Sequence, residues 1–410
     1  MDLRERLLRV GLPRPDMIEP DRPAHDAPLE ALLDGYWAHA ASARCFVVEH
    51  SYPLEYVHGG QALAQAHAAP REAWAPFLGE SDSLRFDACR AVLLDIETTG
   101  LARGAGTFAF MVGVGLFDGN RLIVRQYFAP DYADEEALLD LLARDLELAS
   151  GLITFNGRSF DWPILETRYT LVHRSPPAEG APHLDLLAVA RSLWRRRLVS
   201  CALGALEQRV LGIMREQQDV PGYLIPQIYQ DYLRWGDTQP LAGVFYHNQM
   251  DILAMVSLMA RAGQILGAPF ERENDPLCDH LALGLLYERR SRPEEAVHAY
   301  RLAAACSSDA DEISLACQRL ANLLKRQGDY LGAVEIWRAQ AGGGAVYPYI
   351  ELAKHLEHRA RDYAEARRII LDALVWLQEH ERALQRGESR RIKDDLERRL
   401  VRVERRLAQS

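Results

Sequence analysis

The chain has 410 residues, 48% of them hydrophobic and 26% charged, with a formal net charge of −10. At roughly 150 residues per domain this length holds two or three domains, and the composition excludes wholesale disorder and a collagen-like chain. The acidity excludes a large, uniformly basic surface, but not an acidic pocket in which bound cations reverse the local sign. The longest apolar runs, such as residues 108–116, fall short of the roughly 20 residues that span a bilayer, so no membrane partner is expected. Residues 1–15 interleave charges with apolar positions and do not read as a secretory signal. Six scattered cysteines without a CxxC pair point to a reducing, cytoplasmic setting and away from a structural zinc site.

In chain order, residues 1–85 form an N-terminal region with proline-rich stretches at 12–15 and 20–28 and a strand pair around 45–56. No chemistry is legible there. Residues 86–268 form the next domain. Within it, 91–94 is a short apolar strand ending in acid, 107–117 a second strand containing glycines, and 121–128 an alternating third. Residues 134–149 carry apolar side chains at helical spacing, with Asp134 as the expected N-cap. A fourth strand is expected at 152–155. A helix follows at 161–172, with Pro163 in its first turn. Residues 183–187 begin as a strand and run into a helix, and the remainder to Gly267 is mostly helical. This order describes a mixed sheet covered by helices.

The third domain, 269–410, is helical and repetitive. Ala296, Ala333 and Ala366 are 37 and 33 residues apart, near the roughly 34-residue period of tetratricopeptide helix pairs. Turn signals at 291–293, 327–329 and 360–362 fall between the two helices of each pair. Residues 381–407 read as a charged capping helix. An ordinary helical bundle is the alternative.

Three short motifs carry chemistry. In Leu93-Leu94-Asp95-Ile96-Glu97-Thr98-Thr99-Gly100-Leu101 the two acids are two apart in a strand, so they share one face. Side-by-side carboxylates repel unless a cation lies between them or one is protonated. The glycine behind them lets the chain turn and approach a ligand. In the second motif a strand ends at Phe155, the chain turns through Asn156-Gly157, and Phe160-Asp161 opens a helix. Asp161 reads as an N-cap or as a further ligand. Phe160 reads as core or as a stacking face. The third motif is Phe245-Tyr246-His247-Asn248-x-x-Asp251-Ile252. His247 and Asp251 are four apart and share a helix face, as a structural pair or as working groups. Asp185 reads as an accessory acid or a structural one. Arg191 and Arg195–Arg197 read as phosphate contacts or as a solvated face.

Together and in this order, the motifs resemble the DEDD-type 3′–5′ exonucleases of the ribonuclease-H-like superfold over residues 91–263. Within that group the chain looks most like the YprB-type proteins, which carry tetratricopeptide repeats behind the nuclease domain. The segment with Asn156, Phe160 and Asp161 also resembles the proofreading domain of family B DNA polymerases. The resemblance implies an α/β ribonuclease-H-like mixed sheet followed by an all-α tetratricopeptide-like repeat domain. It implies two divalent ions, Mg²⁺ or Mn²⁺, held by Asp95, Glu97, Asp161 and Asp251, with Asp95 bridging both. It implies a nucleic-acid substrate, DNA or RNA, entered at a single-stranded 3′ end. Thr98, Gly100, Leu101, Asn156 and Phe160 would line the substrate groove, and the repeats would bind a protein partner.

The general base of such enzymes is His five residues before the last acid or Tyr four before it. Here the identities are swapped, with Tyr246 and His247 at those positions. His247 is favoured, because it lies one turn from Asp251 and imidazole titrates nearer neutrality than a phenol. Two alternatives stay open: an endonuclease, and an inactive nuclease fold serving as an interaction scaffold.

Overall fold

The computed structural model describes residues 28–40, 43–100, 106–215, 219–271, 275–380 and 386–409. The chain divides into two compact units. One comprises the described parts of residues 1–67, 81–187 and 203–260; the other comprises those of 68–80, 188–202 and 261–410.

The first unit is built on a seven-stranded sheet. Its strands are β1 (Gly35–Ala40), β2 (Ala43–Pro53), β3 (Val92–Thr98), β4 (Ala109–Asp118), β5 (Arg121–Phe128), β6 (Leu152–Thr154) and β7 (His183–Asp185). In space the order is β1-β2-β5-β4-β3-β6-β7. The pairs from β1 through to β3 are antiparallel; β3–β6 and β6–β7 are parallel. β3 is therefore an interior strand, where the antiparallel part meets the parallel part, and Val92, Leu93, Leu94 and Ile96 are buried, the near-continuous apolar run of a strand covered on both faces.

The sheet begins earlier than the sequence reading placed it. β1 and β2 lie within the stretch expected to be a separate N-terminal region, and β2 pairs with β5 from Phe46↔Phe128 to Pro53↔Arg121. Cys45, Phe46, Val47 and Val48 are almost fully buried. The boundary expected at residue 85 therefore cuts a sheet, because those apolar side chains complete its core. Asp134 stands at the expected N-cap position, but its side chain makes no capping bond and instead accepts from the Arg44 N–H at 3.0 Å. Helix α1 spans Glu135–Leu146 behind a 3₁₀ turn, Tyr132–Asp134, and the side chain that caps that turn is Asp131, accepting from the Ala133 N–H.

Four further helices belong to this part of the chain: α2 (Asp161–Leu171), α3 (Leu186–Trp194), α4 (Ile225–Trp235) and α5 (Leu241–Gly267). α5 has 27 residues and a mean hydropathy of 1.3 in its most apolar stretch. Its length and composition thus reach what a membrane span needs, which the longest apolar runs had not suggested. Of that stretch 78% is buried inside the protein, and the helix carries His247, Asn248 and Asp251 in its first half.

Two glycines of β4 let α5 come close. A Cβ at Gly113 would lie 2.1 Å from Asn248 Oδ1, and one at Gly115 would lie 2.8 Å from Ile252 Cγ2. Residues 113 and 115 share a sheet face, and 248 and 252 share a helix face. The small-residue stripe thus seats the helix at the depth where its polar residues reach β3.

The second unit is helical. Its main helices are α6 (His280–Arg289), α7 (Pro293–Cys306), α8 (Ala310–Gln327), α9 (Tyr330–Gln340), α10 (Tyr347–His355), α11 (Tyr363–Glu379) and α12 (Arg386–Leu407). Ala296, Ala333 and Ala366 are fully buried, one in each of α7, α9 and α11. At Gly284 a Cβ would stand 2.4 Å from the Tyr300 ring, so close helix approach there depends on the absent side chain. Asp279, Asp309, Asp329 and Asp362 cap α6, α8, α9 and α11 by accepting backbone N–H bonds.

Candidate active site

Asp95 and Glu97 project from β3 on the face opposite Leu94 and Ile96. Both carboxylates are enclosed by other acids. Burial first, then Asp251, Glu97 and Asp161, push the Asp95 carboxyl well above its ordinary range, against a hydrogen bond from Asn248. Burial, then Asp251 and Asp161, do the same to Glu97, eased by Arg215. Asp161 is 5% exposed and is pushed up to about 7, first by burial, then by Asp185 and Asp251, against a backbone hydrogen bond. The motifs of three distant stretches therefore face one pocket, and each acid there feels its neighbours' charge.

Local structure explains how each acid arrives. The chain leaves β6, turns at Asn156 with a left-handed φ of 68°, and enters α2 at Asp161. A Cβ at Gly157 would sit 2.4 Å from Thr154 Cβ and 2.7 Å from Asp161 Oδ2. Only glycine lets the turn fold this tightly under the carboxylate. Asp185, at the end of β7, holds that turn in place. Its carboxylate accepts from the backbone N–H groups of Asn156 (2.9 Å), Arg158 (3.3 Å) and Leu187 (3.0 Å). Those contacts make Asp185 a brace for the Asp161 turn.

Asn248 supplies a polar link that the sequence motifs did not assign. It is fully buried, its Nδ2 donates to Asp95 Oδ2 at 2.9 Å, and its Oδ1 accepts from Gln126 Nε2 at 2.9 Å. Gln126 Nε2 also donates to the Phe245 carbonyl at 2.8 Å. A chain of hydrogen bonds thus runs from β5 through α5 to Asp95 of β3. The glycines of β4 were a readable signal for this close contact; the polar residues that exploit it were not.

His247 Nδ1 lies 2.8 Å from Asp219 Oδ1, and its Nε2 lies 3.8 Å from Asp251 Oδ2. A carboxylate at Nδ1 fixes the imidazole with a proton on that nitrogen and leaves Nε2 as the acceptor facing the acids. Tyr246 instead comes close enough to Tyr52 for the two phenols to interact. The helix face that carries Asp251 thus carries His247 as well.

Arg215 was also outside the sequence reading. Its guanidinium donates to Glu207 three times, at 2.8, 3.0 and 3.0 Å. It also donates to Asp251 Oδ1, lies 3.5 Å from Asp219, and approaches His247 Nδ1 at 3.3 Å. Although burial disfavours its charge, Asp251 and Glu207 hold the guanidinium pKa up.

Other expected residues are placed as follows. Thr98 is buried and its hydroxyl donates to the Gly100 carbonyl at 2.8 Å; a Cβ at Gly100 would meet open space. Leu101 lies outside the described residues. Asn156 is exposed, its Oδ1 accepting from Ser159 at 3.3 Å, and Phe160 is half-buried against the core. Arg196 and Arg197, weighed as phosphate contacts, belong to the helical unit. There they lie 3.4 and 3.3 Å from the buried Asp279.

The donor set suits a hard divalent cation: carboxylate oxygens gathered by the fold, with their mutual repulsion only partly relieved by Arg215. Among the described residues no three His, Cys, Asp or Glu side chains already stand as a finished metal cage; Asp251 is drawn to Arg215.

A mixed sheet with an acid pair on an interior strand and two more acids on flanking helices defines a ribonuclease-H-like nuclease domain. A family model described as the RNase_H superfamily matches residues 92–262. The uncharacterized protein YprB of Bacillus subtilis (strain 168) is 30% identical over 341 residues, which cover 80% of each chain. The chain belongs to the YprB family of ribonuclease-H-like proteins, whose match here extends beyond the nuclease domain into the helical region.

Proposed function

We propose that the protein is a metal-dependent nuclease that hydrolyses phosphodiester bonds, acting as a 3′–5′ exonuclease. The observation that carries this reading is the convergence of Asp95, Glu97, Asp161 and Asp251, each within electrostatic reach of others in the set. The four would hold two Mg²⁺ or Mn²⁺ ions, which supply Lewis-acid charge to the attacking and leaving oxygens of an in-line displacement. Asp95 keeps its orientation through Asn248. Asp161 keeps its own through the Asp185-braced turn. His247 is the group positioned to take a proton from the attacking water at Nε2, with Asp219 at Nδ1 stabilising the imidazolium that forms. The scaffold reading anticipates a missing acid; all four are present, which favours catalysis. The helical unit is proposed to be tetratricopeptide-like and to bind a protein partner or guide substrate.

The test uses end-labelled single- and double-stranded DNA and RNA, incubated with Mg²⁺ or Mn²⁺. Cleavage that disappears in EDTA and falls roughly a hundredfold or more in Asp95→Ala is expected. A 5′-labelled strand that shortens one nucleotide at a time selects the exonuclease; internal cuts select the endonuclease. No metal-dependent cleavage of any substrate sinks the nuclease reading.

A further inference from the structure

We propose that Arg215 is a resident counter-cation of the acid pocket: it binds Asp251 in the metal-free protein and gives that carboxylate up when divalent ions load. The inference rests on the reading of the pocket as a metal site. Three observations support it.

First, the Asp251 carboxylate that would complete the donor set is engaged by Arg215 through Oδ1. A guanidinium and a divalent ion compete for the same oxygen, and they also repel each other. Second, Arg215 is not held by Asp251 alone. Glu207, whose side chain is 3% exposed, takes Nε and Nη2 together. The planar fork stays anchored there when the Asp251 bond is released. Third, Arg215 is the cation that eases Glu97, so its charge reaches the pocket and not Asp251 alone. In a pocket of like charges without metal such a cation lowers the repulsion, and it then becomes the ion's competitor.

The test measures Mn²⁺ binding without nucleic acid, from the paramagnetic-resonance signal of the free ion, in wild type, Asp95→Ala and Arg215→Met. Losing a charge-assisted bond that the ion must break is expected to tighten Mn²⁺ binding to Arg215→Met about tenfold. Binding to Arg215→Met that equals or falls below that of wild type overturns the inference while leaving the metal site standing. Wild type binding no better than Asp95→Ala overturns the metal-site reading itself. Should Arg215→Met not fold, Arg215→Lys carries the same test. An ammonium keeps the charge but cannot bridge Glu207 and Asp251 with one rigid plane, so its binding is expected to tighten by about threefold, and no tightening overturns the inference.

Discussion

The Asp161 carboxyl titrates at about 7 in the folded, metal-free pocket, against about 3.9 in an unfolded chain. Between those values the folded state holds a proton that the unfolded chain has released. Stability therefore falls as pH rises through the window and levels off above it. Asp161→Asn removes the charge but keeps the shape. In EDTA at pH 8 the variant is expected to be more stable than wild type by on the order of 4 kcal/mol, the gap closing as pH falls from about 7 toward 4. His183, held near pKa 4 by burial, acts with the opposite sign but equally in both chains, so it cancels. Parallel stability–pH curves from urea unfolding would refute this electrostatic account. Asn248→Ala is a different residue-scale case. It frees Asp95 and takes away one of the two acceptors of Gln126 Nε2, so activity should drop about 10- to 100-fold and stability by about 1–3 kcal/mol. A drop in stability with unchanged activity would mean that Asn248 is structural only.

At the scale of elements, the site depends on how closely α5 lies on β4. Gly113→Ala drives a methyl into Asn248 and should cost about 1–3 kcal/mol through forced repacking. It should also impair metal binding, because Asn248 and Asp251 move with the helix. Gly100→Ala is the matched control, since a Cβ there meets nothing within 4 Å. Equal melting temperatures for the two variants would show that the helix is not seated by the glycine stripe. Element positions were largely legible. α2 begins at Asp161, β7 runs straight into α3, and the helix breaks after Arg289, Gln327 and Ala360 match the turn signals. Asp134 shows the limit of such reading: it stands at the N-cap position, yet its carboxylate accepts from Arg44 of β2, while Asp131 caps the 3₁₀ turn before the helix.

At the scale of the whole molecule, β2 joins the N-terminal stretch to the nuclease sheet. A chain begun at residue 86 loses β1 and β2, bares the β5 edge, and exposes the core faces covered by Phe46 and Val48. It should be insoluble or show no cooperative unfolding by circular dichroism; a cooperatively folded, metal-binding fragment would overturn this. Strands were expected around 45–56, but their pairing with β5 was not, because partners far apart in sequence leave no local trace. Cys45 to Val48 is a short apolar run that suits several structures.

What the sequence determined by itself was the set of acids and the order of elements that bear them. Strand alternation puts Asp95 and Glu97 on one face, and helix periodicity puts His247 over Asp251; both follow from local backbone geometry. Tertiary structure alone decided which groups surround that set. Gln126, Asn248, Glu207, Arg215 and Asp219 come from β5, α5 and the stretch before α4, and of these only Asn248 falls within a motif, where no role was assigned to it. Their roles arise because a crowded pocket of negative charge selects whichever amide or guanidinium the fold delivers to it, and delivery is a property of packing in three dimensions.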